Sequence, residues 1–290
     1  MKNKDFAVFI LTHGRPDNVI TYKTLNNMKY TGKVFFVVDN EDKSLSKYVK
    51  NFGKENIVVF NKKAMADRID EANNFDNRKV IVHARNVCFE IAKKLNIKYF
   101  IQFDDDYTDF RFKLMINDLV VNKSIKNMDN MLDKMIDYYK SINAYSIAFA
   151  QEGDFLGGID NGSGIYRFSK RKCMNSFVCS TERSFQFVGS INEDVNTYVT
   201  GGSRGDLFLT IPFVALSQKQ TQSQKGGMTD VYMLNGTYVK SFTTVLMQPS
   251  SVKVAMMRSA NPRLHHSIKW EYTAPVIIRE DFKKKIENNG

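Results

Sequence analysis

The chain has 290 residues, 43% of them hydrophobic and 12% aromatic, which excludes a disordered or fibrous protein and suffices for one large α/β domain or two small ones. Forty-two Lys and Arg against 31 Asp and Glu leave a formal charge of +11, which favours polyanionic partners by steering and counterion release, or simply keeps the surface solvated. No apolar run approaches the roughly 20 residues that span a bilayer, no signal-peptide pattern precedes the first strand, and Cys88, Cys173 and Cys179 have neither zinc-ribbon nor disulfide-framework spacing.

These exclusions leave a cytoplasmic, reduced protein without membrane contact as the expectation. The first element is an apolar strand, Phe6 to Leu11, running into the polar turn Thr12-His-Gly-Arg-Pro16. Pro16 suits the first position of a following helix, with Val19, Ile20, Leu25 and Met28 on its buried side. Lys33 to Asp39 is a second buried strand that ends on a carboxylate, and Ile57 to Phe60 is a third. A helix from His83 to Leu95, with Val87, Cys88, Ile91 and Leu95 sharing a face, feeds the apolar run Tyr99 to Phe103.

A further helix is expected from Asn127 to Ile142, with Met128, Leu132, Met135 and Tyr139 inward, followed by a strand from Tyr145 to Phe149. Gly153 to Gly164 reads as a loop, Ile165 to Phe168 as a strand, and Ser217 to Gly227 as a polar, flexible segment outside the core. Strand, helix, strand, with polar residues repeatedly at strand C-termini, is the layout of a nucleotide-binding α/β half-domain. Neither an internal repeat nor a linker divides the chain, so one domain over residues 1–290 is expected.

The chemistry centres on Asp104-Asp-Asp106, three carboxylates closing an apolar strand. Unpaired buried charge is very costly, so they belong at the strand's exposed C-terminal edge, where open α/β sheets place ligands. In an extended segment Asp104 and Asp106 would converge on one hard cation while Asp105 points elsewhere. The alternative is a solvated acidic turn. Glu193 and Asp194, between apolar Ile191 and Val195, are a second acidic site, either a general base toward an acceptor hydroxyl or a pair complementing a helix dipole. His265 and His266 offer an imidazole as a further metal ligand, or are surface residues in a turn. Gly201-Gly-Ser-Arg-Gly205 is a weak phosphate cradle and a reasonable turn or acceptor-side loop. No Gly-x-Ser-x-Gly elbow and no Walker-type loop is present.

In this order (Thr12, Arg15 and Asp39 at strand ends, His83-Ala-Arg-Asn86, Asp104-Asp-Asp106, Glu193-Asp194 and a late histidine) the chain resembles GT-A glycosyltransferases. More narrowly it resembles the phage glycosyltransferases associated with TET-type base hydroxylases, which decorate hydroxymethylated pyrimidines in DNA. The resemblance spans Ile10 to about Trp270. It implies a GT-A-like, Rossmann-type open mixed sheet flanked by helices, with a nucleotide-sugar half to about residue 110 and an acceptor half beyond it.

It further implies a nucleotide-sugar donor, a UDP-sugar, bound through Thr12, Arg15 and Asp39 at the nucleoside and Arg85 and Asn86 near the ribose or diphosphate. Asp104 would serve ribose and metal, and Asp106 would hold Mn²⁺ or Mg²⁺ with His265 or His266. Asp194 would be the base of an inverting transfer, with Glu193 near the sugar hydroxyls. The three adjacent Asp leave the motif's register open, so Asp105 could replace either neighbour. The acceptor would be DNA with hydroxymethylated bases, met by Arg171, Lys172, Gly202, Arg204 and Gly227. Transfer to a glycan, protein or small molecule, nucleotidyl transfer, and non-catalytic nucleic-acid binding are the competing readings.

Overall fold

Every residue of Phe6–Leu11 is apolar and every one is buried, which requires a strand covered on both faces. Alternate side chains point oppositely. Phe6, Val8 and Ile10 pack with Leu25, Tyr48, Leu132 and Ile136, whereas Ala7, Phe9 and Leu11 pack with Val87, Ile91, Val195 and Val199. This computed structural model describes residues 1–69, 78, 80–117, 119–152, 175–219, 228–257 and 262–273.

In chain order the elements are β1 (Phe6–Leu11), α1 (Ile20–Asn27), β2 (Lys33–Asp39), α2 (Leu45–Phe52), β3 (Ile57–Phe60), α3 (Lys62–Ala66), α4 (Val82–Lys94), β4 (Tyr99–Asp104), β5 (Tyr107–Ile116) and β6 (Leu119–Ser124). There follow α5 (Met128–Ser141), β7 (Ser146–Gln151), β8 (Ser176–Ser180), α6 (Glu193–Ser203), β9 (Phe208–Gln218), α7 (Met228–Met247), β10 (Val252–Met257) and β11 (Arg263–Ile268). Nine strands form one mixed sheet in the order β3-β2-β1-β4-β8-β7-β9-β5-β6, and β10-β11 is a separate antiparallel pair. The pairs β3-β2, β2-β1 and β1-β4 are parallel, β8 runs antiparallel to β4, and β7 is parallel to β9. The expected open mixed sheet flanked by helices is therefore the observed fold class.

Several local expectations change. Pro16 does not open a helix: Asn18 N donates to Arg15 O at 3.0 Å, so Pro16 follows the first residue of a tight turn, where its fixed φ also fits. The helix begins at Ile20 and buries Thr21, Thr24 and Leu25. Leu95 caps α4 and is exposed. α5 matches its expectation because Asn127 accepts from Asn130 N at 2.9 Å and starts the helix there. Gly201 to Ser203 is the last turn of α6 rather than a loop. β9 runs through Ser217, which is buried, to Gln218. The histidines lie in β11 rather than a turn. The loop at 153–164, the strand at 165–168 and most of the 217–227 segment lie outside the described residues. No helix among the described residues is long and apolar enough to cross a membrane.

Candidate active site

The strand order reverses its growth direction at β1, so the crevice between the β1 and β4 ends is a topological switch point. Three strands deliver their polar ends there: Thr12 after β1, Asp39 at the end of β2, and Asp104 at the end of β4.

The three adjacent Asp take different partners because the chain turns after Asp104 instead of remaining extended. Asp105 is turned inward: its Oδ2 accepts from Thr12 Oγ1 at 2.8 Å and its Oδ1 pairs with Arg15 Nη1 at 3.0 Å. Thr12 Oγ1 is also 2.9 Å from the Tyr48 hydroxyl, which accepts from Arg15 N at 2.8 Å. Asp105 therefore staples the loop after β1. Asp104 pairs through Oδ1 with Arg85 Nη2 at 3.0 Å. Asp106 has no side-chain partner among the described residues, and burial, then the charges of Asp104 and Asp105, push its carboxyl up to about 7.

At the end of β2, Asp39 Oδ2 is 2.6 Å from His13 Nδ1 and 3.3 Å from Lys62 Nζ, and its Oδ1 accepts from Glu41 N at 3.1 Å. Burial would raise this carboxyl, but the His13 hydrogen bond and the Lys62 charge outweigh it and hold Asp39 below its ordinary value. Asp42 accepts from Gly14 N at 2.7 Å, and Gly14, at φ 70°, supplies the left-handed step that the turn needs.

Arg85 is the hub. Its side chain is almost fully buried, and Nε donates to Glu193 Oε1 at 2.8 Å while Nη2 holds Asp104. The guanidinium lies 5.2 and 5.8 Å from the rings of Phe177 and Phe187. Its Nη1 is buried without a hydrogen-bond partner among the described residues. Glu193 and Asp194 occupy the first turn of α6, both buried, so the dipole-complementing position and proximity to the crevice coincide. Burial pushes Glu193 up to about 7 against the pull of Arg85, with Asp194 raising it further. Asp104 is also raised by burial, opposed by Arg85 and reinforced by Asp105 and Asp194. Asp194 Oδ1 accepts from its neighbour Val195 N at 2.8 Å.

Asn86 is spent on the backbone: Nδ2 donates to Phe187 O at 3.0 Å, and Oδ1 accepts from Phe187 N at 2.8 Å. That fixes the segment leading into α6. The rings of His265 and His266, in β11, lie 4.1 Å apart between centroids and are tilted by 33°. Among the described residues no three His, Cys, Asp or Glu gather as a metal-holding group, so the structure does not bring either histidine to Asp104 and Asp106. Gly202 is packed against the Thr273 carbonyl, where no Cβ fits, and Arg204 is exposed at the end of α6. Arg171, Lys172 and Gly227 lie outside the described residues. Sequence reasoning missed Tyr48, His13 and Lys62. His13 stood beside Thr12 and could have been weighed, whereas nothing in the sequence ties Lys62 to Asp39.

Residues 6–227 match the model of a family described as TET-associated glycosyltransferase. No curated protein matches the chain. Among solved structures, the chain is similar to residues 1–349 of TarS from S. aureus at 11% identity and a TM-score of 0.43, covering 73% of this chain and 59% of that one. The chain thus spans well under two thirds of that TarS fragment. It is also similar to glucosyl-3-phosphoglycerate synthase from Mycobacterium tuberculosis, in complex with Mn²⁺, UDP and phosphoglyceric acid, at 9% identity and a TM-score of 0.46, covering 92% and 87% of the two chains.

Proposed function

The chain belongs to the TET-associated glycosyltransferase family, and from that premise we propose that it moves a sugar from a UDP-sugar to the hydroxymethyl group of a modified pyrimidine in DNA. The observation that carries the mechanism is the Arg85 bridge, which joins Asp104 at the nucleotide edge to Glu193 at the start of α6. Donor and acceptor carboxylates thereby share one site.

In this reading Thr12, Arg15 and Asp39 line the nucleoside end, with Thr12 and Arg15 held by Asp105. Asp106, with Asp104 beside it, fits a divalent cation, because it is a half-buried carboxylate on which burial and the charges of Asp104 and Asp105 outweigh that of Arg15. When bound, Mn²⁺ or Mg²⁺ supplies charge that neutralises the departing diphosphate. Asp194 takes the acceptor hydroxyl's proton as that oxygen attacks the sugar carbon opposite the leaving diphosphate, which inverts the carbon. Glu193, fixed by Arg85, orients sugar hydroxyls. Arg204, with Arg171 and Lys172, meets acceptor phosphates.

The test is to incubate the protein with a panel of sugar nucleotides, Mn²⁺ and 5-hydroxymethylpyrimidine DNA, then to digest the DNA to nucleosides for mass spectrometry. A sugar-sized mass increase on the modified nucleoside, absent with EDTA, is expected. Transfer only to free nucleosides or glycans would overturn the DNA acceptor, and full turnover in EDTA would overturn the metal.

A further inference from the structure

Over residues 238–247, helix α7 carries its amphipathicity inside out. Ser241, Thr243 and Thr244 are buried, while Tyr238 (54% exposed), Val239 (45%), Phe242 (37%) and Leu246 (61%) face solvent. Positions i, i+4 and i+8 form one stripe. A solvated helix normally shows the reverse pattern, so an apolar outward stripe marks a contact surface. Two of its members form a platform: the Tyr238 and Phe242 rings are nearly parallel, with an interplanar angle of 8° and centroids 5.6 Å apart.

Two further observations identify what would cover it. Residues 231–270 contain no Asp or Glu but include Lys240, Lys253, Arg258, Arg263 and Lys269. Lys253, Arg263 and Lys269 are exposed on or beside the β10-β11 pair, to which α7 is tied by Ser241 Oγ donating to Leu264 O at 3.1 Å. A second copy would bring like charge against like charge, whereas a polyanion with flat apolar bases matches both the cations and the rings. The opposite, buried face of α7 packs on the residue before the candidate base. Asn192, immediately before Glu193, donates to Lys240 O at 2.7 Å and to Thr244 Oγ1 at 3.1 Å. One helix width, about 10 Å, separates this face from the acidic turn.

We propose that the outward face of α7, centred on Tyr238 and Phe242, holds a nucleic-acid strand with unstacked bases, across the helix from the Glu193–Asp194 turn. The assignment rests on the DNA acceptor proposed above and explains how that acceptor is presented. Chemistry on a base requires it out of the duplex stack, and stacking on exposed rings offsets the cost of unstacking it.

The experiment measures fluorescence anisotropy of a short labelled single strand, and of the matching duplex, against the full chain, the Tyr238→Ser/Phe242→Ser pair and Tyr238→Phe. Melting temperatures confirm that these surface variants fold. The wild type should prefer the single strand, the double variant should bind it at least about tenfold more weakly, and Tyr238→Phe should bind as wild type. If the wild type binds no DNA, the DNA acceptor itself fails and this surface with it. If the wild type binds and the double variant binds equally, this surface alone fails. A dimer in light scattering, or sedimentation with anionic vesicles, that the double variant abolishes while DNA binding persists would overturn the proposal in favour of those occupants.

Discussion

Arg85 and Glu193, 108 residues apart in the chain, meet in a buried ion pair with Nε 2.8 Å from Oε1. The same guanidinium holds Asp104 at 3.0 Å, so α4 ties the end of β4 to the first turn of α6. One buried cation serves a buried acid and a half-buried one.

Replacing Arg85 with Met should therefore leave Asp104 and Glu193 without their counter-charge. Breaking a buried pair by removing one partner costs about 3–5 kcal/mol. Urea unfolding near pH 7.5 should show a loss of that size, and the loss should shrink at pH 5, below the value of about 7 to which burial pushes Glu193. A loss equally large at both pH values would assign the effect to packing against Phe177 and Phe187 rather than to charge.

Asp106 sets a pH dependence of opposite sign to that of an ordinary paired carboxylate. Its carboxyl is raised from 3.8 to about 7, chiefly by burial. Between those values the folded chain holds a proton that the unfolded chain has lost, so stability falls as pH rises through this window and the penalty is complete above it. Asp106→Asn should melt with wild type near pH 4 and a few degrees above it at pH 8. Mn²⁺ should raise the wild-type melting temperature at pH 8 and leave the variant unmoved. Identical pH slopes in the two proteins would remove Asp106 as the uncompensated acid.

Gly202→Ala tests the seat of the segment after β11. In most helices Gly→Ala stabilises by up to about 1 kcal/mol. At Gly202 the added methyl meets the Thr273 carbonyl, which is backbone and cannot rotate away. The sign should reverse, with a loss of about 1–3 kcal/mol typical of overpacking. Trp270 is the chain's one tryptophan and stacks on Tyr198 of α6 at 5.5 Å, so its emission should shift as the segment lifts. A more stable variant with unchanged emission would show that the segment moves aside freely.

The parallel half of the sheet was legible because β1, β2 and β4 are apolar runs buried on both faces that end on polar residues. Asp104 was found because carboxylates close an apolar run, and Glu193 because an acidic pair sits between apolar Ile191 and Val195. Partners far along the chain were not legible. Nothing near Arg85 announces that it would be drawn inward to neutralise two acids, and Asn86 looked like a ligand contact although its amide pairs with the Phe187 backbone. The triplet was misjudged in conformation: treating Asp104 to Asp106 as extended hid the turn that hands Asp105 to Thr12 and Arg15. β6 and β9 escaped because their pattern is broken by exposed apolar residues such as Leu119 and Phe213.

Asp194→Asn separates chemistry from binding. Asp194 lies in the first turn of α6, with Oδ1 accepting from Val195 N at 2.8 Å, and an asparagine oxygen can keep that bond. The substitution therefore preserves the helix start and the Arg85–Glu193 pair while removing the proposed acceptor of the hydroxyl's proton. A general base contributes typically about 10²–10⁴-fold, so kcat should fall within that range while UDP affinity by calorimetry changes less than about twofold, since the proposed nucleotide partners, Thr12, Arg15 and Asp39, are untouched. Glu193→Gln provides the contrast. It weakens the hold of Arg85 and should disturb stability as well as rate. Equal losses of UDP affinity and kcat in Asp194→Asn would move Asp194 into the donor site and leave the proton acceptor to be sought at Glu193.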